Sequence, residues 1–303
     1  MIEVPEEFAR TQAAYNGAAG RAFVAALPGR AEEFLERWGL RVTGPPMHGA
    51  ASLVLPVVRG RGRAVLKLQL LDEETEGEPA ALRAWGGRGA VRLLEHDPAT
   101  GTMLLERLDA GRPLTRLPDP REAVGILAGL LARLSAAPAP PGLRGLGSVA
   151  ARMVADAPAA AVRLRHAGDA ALLRGWAAAV RDVADEPGDR LLHWDLHEGN
   201  VLAADREPWL AIDPKPLAGD PGFELLPALR GRTEAGGGAA GERAEVLWRF
   251  DLLTERLGLD RGRAVAWTLG RVLQNALWDI EDGARALDAG QVALAGALGA
   301  RRE

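Results

Sequence analysis

RLLHWDLHEGNVLAADREPWLAIDP, residues 190–214, is the stretch that decides the fold. Its apolar runs RLLHWD and PWLAID predict two short strands that form a hairpin within a mainly helical region. Asp195 ends the first run, Asn200 follows after four intervening residues, and Asp213 ends the second run. We therefore expect two carboxylates and one amide to meet at a single point of this hairpin.

These residue types suit the activation of a hydroxyl group beside a magnesium ion. Mg²⁺ takes oxygen ligands and commonly uses one or two carboxylates together with the phosphates of a substrate. We predict that Asp195 accepts the proton of an attacking hydroxyl, and that Asn200 and Asp213 hold the metal. The hypothesis requires a substrate that carries phosphates beside the metal.

Two other interpretations of the loop remain open. Asp and Asn side chains at the end of a strand often form turns and cap their own backbone. Alternatively, the alternation of His193, Asp195 and His197 places three possible zinc ligands on one face of a strand, as in a metallohydrolase. That interpretation gives Asn200 and Asp213 no role, and the other histidines lie in unrelated contexts, at His48, His96 and His166.

A kinase also needs a lysine on a strand, oriented by a glutamate of the next helix, to hold the nucleotide phosphates. The run RAVLKLQL places Lys67 inside an apolar strand. Glu78, which opens a predicted helix over residues 78–86, is the expected partner, and Glu74 and Glu76 are alternatives. A lysine that protects an edge strand from aggregation is the other explanation of Lys67.

Two further segments are candidates for nucleotide contacts. The turn GPPMHGAAS (44–52) lies between the first two predicted strands, where backbone N–H groups and Ser52 can face phosphates. The segment MLLERLDAG (103–111) lies where two lobes would join, and the backbone groups of Glu106 and Leu108 are the predicted partners of adenine. A plain strand followed by a turn explains the second segment equally well.

The order of elements predicts an α+β chain with a small β-rich lobe and a larger, mainly helical lobe. We expect an N-lobe over residues 1–105, a hinge at 106–112 and a C-lobe over 113–303 that carries the catalytic hairpin. The first helical region should break at Pro28-Gly29. Predicted strands cover 40–44, 52–58 and 63–70, helices lie near 242–257, 261–282 and 288–300, and a flexible loop covers 234–242.

Composition narrows the class of protein. The 303 residues carry a net charge of -4 and contain no cysteine, which excludes disulfides, thiolate metal sites and cysteine nucleophiles. The charge gives no basic bias towards nucleic acid or anionic membranes. The polar start MIEVPEEFARTQ and the lack of a long apolar run predict a cytoplasmic protein. The acidic charge balance favours a small cationic partner.

Lys67, the H-x-D-x-x-x-x-N loop and Asp213 together resemble the aminoglycoside phosphotransferase branch of the protein-kinase-like fold. The block HWDLHEGNVLAADREPWLAIDPKPLAGDPGFELLPAL (193–229) is similar to the streptomycin 6-kinase and hydroxyurea phosphotransferase group within it. The segments AVRLLEHDPATGTMLLERL (90–108) and LQNALWDIEDG (273–283) extend the similarity over most of the chain. Asp213 is followed by Pro214 and Lys215 rather than Phe-Gly, as suits a kinase of small molecules.

The resemblance implies ATP-dependent transfer of the γ-phosphoryl group to a hydroxyl of an antibiotic, with the 6-hydroxyl of streptomycin as the favoured acceptor. It matches Asp195 with the catalytic base, Asn200 and Asp213 with the Mg²⁺ ligands, and Lys67 with the phosphate-binding lysine. Hydroxyurea or a metabolite sugar is the alternative acceptor. A nucleotide-binding protein without catalytic activity is disfavoured, because its expected mark is the loss of one of these four residues.

A streptomycin site should be acidic, because streptomycin carries two guanidinium groups that carboxylates can bind. The predicted ligands are five acidic residues and one tryptophan, which can stack on a guanidinium group: Asp220, Glu224, Trp278, Asp279, Glu281 and Asp282. An acidic helix end is often only solvated, and Asp220 can instead cap a helix. We expect His193 to brace the loop, whereas the role of His197 stays open.

Overall fold

The computed structural model describes residues 2–231 and 238–299. The chain divides into two compact units, Met1–Asp109 and Ala110–Glu303. The boundary between the units lies inside the segment 106–112 that the sequence predicted as a hinge. Within that segment, a short strand begins at Asp109.

The first unit is an antiparallel sheet with one long helix and one short helix. Its sheet has the order β1-β3-β4-β6-β5, and β2 also pairs with β3. Lys67 lies in β4, which pairs with β3 on one side and β6 on the other, so it does not occupy an edge strand. The elements are α1 (Glu6–Arg37), β1 (Arg41–Val42), β2 (Met47–His48), β3 (Ser52–Arg59), β4 (Gly62–Gln69), α2 (Glu78–Trp85), β5 (Leu93–His96) and β6 (Met103–Glu106).

Helix α1 supplies one side of the core of this unit. Four of its buried residues recur at helical spacing: Phe23, Leu27, Ala31 and Phe34. They pack in one core cluster with the inner residues of β3 and β4. The predicted break at Pro28-Gly29 is wrong, because the helix continues through Pro28. The interruption lies instead at Gly17, whose φ of 53° is a conformation that glycine adopts readily.

The second unit is mainly helical and contains short strands. Its elements are β7 (Asp109–Pro113, which starts at the unit boundary), α3 (Pro120–Ser135), α4 (Leu146–Arg163), α5 (Ala167–Arg181), β8 (Arg190–Leu192), β9 (Val201–Ala203), β10 (Trp209–Ala211), β11 (Leu217–Gly219), α6 (Leu226–Leu229), α7 (Gly238–Leu257), α8 (Arg261–Glu281) and α9 (Ala289–Gly299). Helices α3 and α8 begin at aspartate caps, Asp119 and Asp260.

The predicted hairpin between RLLHWD and PWLAID is wrong in its pairing. Strand β8 pairs with β11, whereas β10 pairs with β9, and β9 lies beside β7. The sequence prediction missed β9 and β11, each of which contains three residues. The two paired sets nevertheless place the loop after β8 next to the segment that follows β10.

Two other boundaries differ from the prediction. Residues 109–113 form β7, so the helical region does not start at 113. The predicted flexible loop 234–242 is helical from Gly238 onwards, and its residues 234–237 lie outside the described residues. Over residues 2–231 and 238–299, no helix combines the length and the apolar character that a membrane span requires.

Candidate active site

The loop after β8 and the end of β10 contain two unusual backbone conformations. Trp194 has a φ of 65° and Asp213 a φ of 56°, and no other non-glycine residue of the described chain has a positive φ. Such conformations are uncommon for residues with a side chain and cluster at functional sites. One precedes the predicted base Asp195, and the other is a predicted metal ligand.

His193 connects these two segments. Its side chain is fully buried, and its ring Nε2 lies 3.0 Å from the carbonyl oxygen of Ile212. Burial lowers the pKa of His193 to about 4, so the ring is neutral and Nε2–H donates to that carbonyl. The backbone N–H of Lys215 donates to the carbonyl of His193 at 3.0 Å, which adds a second link between the segments. These two hydrogen bonds are the contacts that the predicted bracing role of His193 requires.

Glu224 holds the same loop from the other side. Its Oε2 accepts hydrogen bonds from the backbone N–H of His193 at 2.8 Å and of Trp194 at 3.1 Å. Burial raises the pKa of Glu224 to about 8, against the lowering effect of these two bonds. The predicted substrate contact of Glu224 is wrong, because its side chain is completely buried and its bonds fix the backbone before Asp195.

Asp195 and Asn200 contact each other at the tip of the loop. The Asn200 side-chain amide donates to the backbone carbonyl of Asp195 at 2.9 Å and approaches its carboxylate at 3.4 Å. The backbone carbonyl of Asn200 accepts from the N–H of Ile212 at 2.9 Å, which anchors the loop to the segment that leads to Asp213. The structure therefore brings the predicted base and the first predicted metal ligand together.

The charges around Asp195 act in both directions. Burial raises the pKa of its carboxyl, and so does the nearby charge of Asp213, while His197, Arg271 and Lys215 lower it. Lys215 lies 3.6 Å from a carboxylate oxygen of Asp213. Asp195 is thus a carboxylate in a partly enclosed, charge-balanced site, which suits a group that orients a hydroxyl and takes its proton.

The donor set around this loop fits magnesium better than zinc. The side-chain oxygen of Asn200 and the carboxylate of Asp213 are hard oxygen ligands, and Mg²⁺ commonly uses one or two such groups together with phosphates. Among residues 2–231 and 238–299, no group of three or more His, Cys, Asp or Glu side chains is arranged to hold a metal ion. The zinc interpretation also loses one of its ligands, because Nε2 of the buried His193 ring donates to the carbonyl oxygen of Ile212.

His197 has a defined local role. Its Nδ1 accepts a hydrogen bond from the N–H of Gly199 at 3.0 Å and so caps the short turn Glu198–Asn200. A Cβ at position 199 would lie 2.8 Å from the imidazole ring, which explains why a glycine occupies that position. The ring also lines the cavity next to Asp195.

A cavity of about 500 Å³ opens beside Asp195, within the second unit. It contains two arginines that the sequence analysis did not identify as site residues. The lining residues are Thr115, Asp195, His197, Glu198, Gly199, Leu226, Pro227, Arg230, Gly231, Arg271 and Asn275. The one available signal was helical spacing, since Arg271 lies about two turns before Trp278 on α8.

None of the six predicted substrate residues belongs to this lining. Asp220 accepts from the N–H of Gly222 at 2.8 Å and from Nε of Arg263 at 2.6 Å, so it is a helix cap and an ion-pair partner instead of a substrate ligand. Glu281 and Asp282 are exposed at the end of α8.

The other two predicted substrate residues, Trp278 and Asp279, are exposed near the end of α8. Burial raises the pKa of Asp279, whose carboxylate lies 3.4 Å from the side-chain amide of Gln291. Trp278 is 39% exposed, and its ring centroid lies 6.3 Å from that of Trp194. Trp278 is therefore the predicted substrate residue that remains beside the catalytic loop.

In the first unit, Lys67 and Glu78 form a buried ion pair. The ammonium nitrogen of Lys67 lies 2.7 Å from both carboxylate oxygens of Glu78, and the two side chains are 4% and 0% exposed. Glu76 is exposed, and the backbone N–H of Glu74 donates to Asp72 in a turn. Of the three glutamates considered, Glu78 is the one that the structure pairs with Lys67.

The predicted nucleotide contacts of the first unit need two corrections. Ser52 is the first residue of β3 and is 5% exposed, so it does not lie at the tip of the preceding turn, where Gly49 and Ala50 are exposed. The backbone N–H of Glu106 donates to the carbonyl of Arg92 at 2.9 Å and is therefore not the group offered to adenine. Leu108 follows β6 and is half-buried.

Comparison with known proteins gives consistent matches. The profile of the aminoglycoside/hydroxyurea antibiotic resistance kinase family matches residues 37–283. A hydroxyurea phosphotransferase of Kitasatospora aureofaciens is 64% identical over 301 residues, which cover 98% of this chain and 86% of the relative. A streptomycin 6-kinase of Streptomyces glaucescens is 58% identical over 299 residues, which cover 98% of this chain and 97% of the relative.

A solved structure shows the same fold. A choline/ethanolamine kinase family protein of Mesorhizobium loti matches with a TM-score of 0.57 and 18% identity, over 90% of this chain and 93% of that one. At this identity the likeness shows the fold alone. It confirms the predicted α+β, protein-kinase-like class.

Proposed function

Because the chain belongs to the aminoglycoside/hydroxyurea antibiotic resistance kinase family, we propose that it transfers the γ-phosphoryl group of ATP to the 6-hydroxyl of streptomycin. Two observations support this proposal. Relatives that are more than half identical to the chain are named streptomycin 6-kinase. The cavity beside Asp195 offers space for part of an acceptor next to a carboxylate.

The single observation that carries the proposal is the geometry of Asp195. Its backbone is fixed on one side by Glu224 through Trp194 and on the other by the amide of Asn200. Asp195 faces the cavity, where it orients the acceptor hydroxyl and takes its proton. The hydroxyl oxygen forms a bond to the γ-phosphorus, the bond from that phosphorus to the bridging oxygen breaks, and ADP leaves.

Asn200 and Asp213 are the residues that would hold Mg²⁺, and Lys67, oriented by Glu78, would hold the nucleotide phosphates. When bound, the metal ion neutralises phosphate charge. Lys67 is a buried ammonium with a fixed orientation, so it presents a localised positive charge at a defined place in the first unit. We assign adenine binding to the backbone of the hinge 106–112, with the Glu106 carbonyl and the Leu108 N–H as partners.

Hydroxyurea is the second candidate acceptor. A relative of this name is 64% identical to the chain. Arg230 and Arg271 in the cavity lining also favour it, because a neutral acceptor avoids the repulsion that a dicationic one meets near two arginines. A cytoplasmic location supplies ATP to either reaction.

The test is a screen for ADP release and phosphate-ester formation with ATP, Mg²⁺ and either streptomycin or hydroxyurea. We expect turnover with streptomycin, and a loss of at least about 100-fold in kcat for Asp195→Asn with little change in ATP binding. Turnover with hydroxyurea alone would replace the acceptor and keep the mechanism. Full activity of Asp195→Asn would remove Asp195 from the reaction.

A further inference from the structure

Arg271 is a cavity residue whose planar group is fixed by its neighbours. Its guanidinium carbon lies 4.8 Å from the ring centroid of Trp194 and 5.1 Å from that of Trp278. Its Nη1 donates to the side-chain oxygen of Gln274 at 2.8 Å. The two cation–π contacts and this hydrogen bond restrain the guanidinium group, so it keeps one orientation at the cavity wall before an acceptor binds.

The position of Arg271 relates it directly to the reacting group. Arg271 and Asp195 line the same cavity. One of the two indoles that hold Arg271 belongs to Trp194, the residue before Asp195, and Trp194 is itself buried and stacked on Phe223. An acceptor whose hydroxyl reaches Asp195 therefore lies in the same cavity as the guanidinium group.

A guanidinium group selects for a particular chemistry. It carries N–H donors and no acceptor, it stays charged, and its planar shape suits oxygen atoms that accept hydrogen bonds. It binds a carbonyl or hydroxyl oxygen and disfavours a cation at the same place. Arg271 is consequently suited to an acceptor that has an oxygen atom next to the reacting hydroxyl.

The two candidate acceptors share this feature despite their different sizes. In hydroxyurea, the nitrogen that carries the hydroxyl is bonded to the carbonyl carbon. In streptomycin, one of the two ring carbons next to the one that carries the 6-hydroxyl bears another hydroxyl, and the other bears a guanidino group. In both molecules an oxygen acceptor lies on the atom adjacent to the reacting centre.

We propose that Arg271 binds this neighbouring oxygen and determines which hydroxyl compounds are phosphorylated. The proposal rests on the proposed function and deepens it. Arg230, the other arginine of the cavity lining, has different surroundings. Arg230 is exposed, and the charges of Asp288 and Asp279 act on its guanidinium group, so Arg230 faces carboxylates of the protein.

The test uses two acceptors of nearly the same shape, hydroxyurea and hydroxyguanidine, in which a cationic amidinium replaces the carbonyl. We expect the kcat/KM of the wild-type protein to be about tenfold or more higher for hydroxyurea than for hydroxyguanidine, because hydroxyguanidine cannot accept the charged hydrogen bond from Arg271. Arg271→Gln should reduce that ratio about tenfold, and Arg271→Lys should retain part of it, since lysine keeps the charge but not the planar fork.

A matched control and a second readout separate binding from a structural role. Arg174→Gln removes an exposed arginine of α5 and should leave the ratio unchanged. With streptomycin, Arg271→Gln should raise the KM of the acceptor about tenfold without changing the KM of ATP. The Tm of each variant shows whether it is folded. If Arg271→Gln does not fold, Arg271→Lys is used for the same measurements.

The outcomes are distinguishable. A fall in kcat for both acceptors with an unchanged ratio would show that Arg271 only holds Trp194 in place, and it would overturn this proposal while the proposed function stands. An absence of turnover by the wild-type protein with streptomycin and hydroxyurea would contradict the proposed function, and this proposal with it.

Discussion

The loop 193–200 and the end of α8 differ in how their acidic residues are held. The loop is fixed by buried groups from other segments, with the backbone before Asp195 bonded to Glu224 and the His193 ring bonded to Ile212. At the end of α8, Glu281 and Asp282 are exposed. Acidic residues alone therefore do not indicate a site, whereas a carboxylate held by a buried framework beside a cavity does.

The buried pair Lys67–Glu78 gives the largest expected effects outside the loop. Lys67→Met should lower kcat/KM about 100-fold or more, because the phosphates lose a preorganised charge. It should also destabilise the fold by about 3–5 kcal/mol, because the buried carboxylate of Glu78 loses the ammonium group that balances its charge. Steady-state kinetics and denaturant unfolding measure the two effects.

The double variant Lys67→Met/Glu78→Leu provides the control. Two apolar residues of similar volume can replace a buried ion pair with little loss of stability. We expect the free energy of unfolding to recover while activity stays lost. Recovery of activity in the double variant would refute the role of Lys67 in phosphate binding.

Glu224→Ala tests the framework of the loop. The change leaves the N–H groups of His193 and Trp194 buried without their acceptor, so we expect a loss of about 2–4 kcal/mol in the free energy of unfolding. The kcat should fall as well, because the backbone before Asp195 loses its anchor. A variant with wild-type stability and kcat would contradict the framework.

The same residue predicts a pH dependence of stability. The pKa of Glu224 is raised from 4.5 to about 8 in the folded protein, so between these values the folded state keeps a proton that the unfolded state has lost. The stability contribution of the protonated carboxyl is complete below about pH 4.5 and is lost as the pH rises towards 8.

Glu224→Gln isolates this effect. Its free energy of unfolding, measured by urea titration at several pH values, should gain on that of the wild-type protein as the pH rises from about 5 to 8. Glu281→Gln, a change at an exposed glutamate, should show no such trend. A constant difference between Glu224→Gln and the wild-type protein would mean that Glu224 is ionised throughout.

The smallest effects belong to the end of α8. Glu281→Gln and Asp282→Asn should change kcat/KM for either acceptor less than about twofold, since single exposed charges contribute little. A tenfold rise in the KM of streptomycin would restore the acidic helix end as a substrate site. It would also remove the contrast with the loop.

The sequence predicted those features of the site that depend on residue type and spacing. The H-x-D-x-x-x-x-N pattern located Asp195 and Asn200, which contact each other, and an apolar strand with one lysine located the Lys67–Glu78 pair. Each of these features combines a local pattern with a residue that is rare in its context.

The sequence did not predict features that depend on tertiary packing. Glu224 and Arg271 are ordinary charged residues in sequence, and only the packing around Trp194 gives each its role. Strands β9 and β11 pair with β10 and β8, and this choice of partner depends on tertiary packing, so it was missed. Pro28 indicated a helix break, yet burial of Leu27 and Ala31 keeps α1 helical around it.

The most direct test of the account is the identity of the product that the wild-type protein and Asp195→Asn form from ATP and streptomycin, determined by phosphorus and proton NMR. We predict a phosphate ester at the 6-hydroxyl with the wild-type protein, and at least about 100-fold slower formation of that ester with Asp195→Asn. ATP hydrolysis without an ester, an ester at another hydroxyl, or undiminished transfer by Asp195→Asn would contradict it.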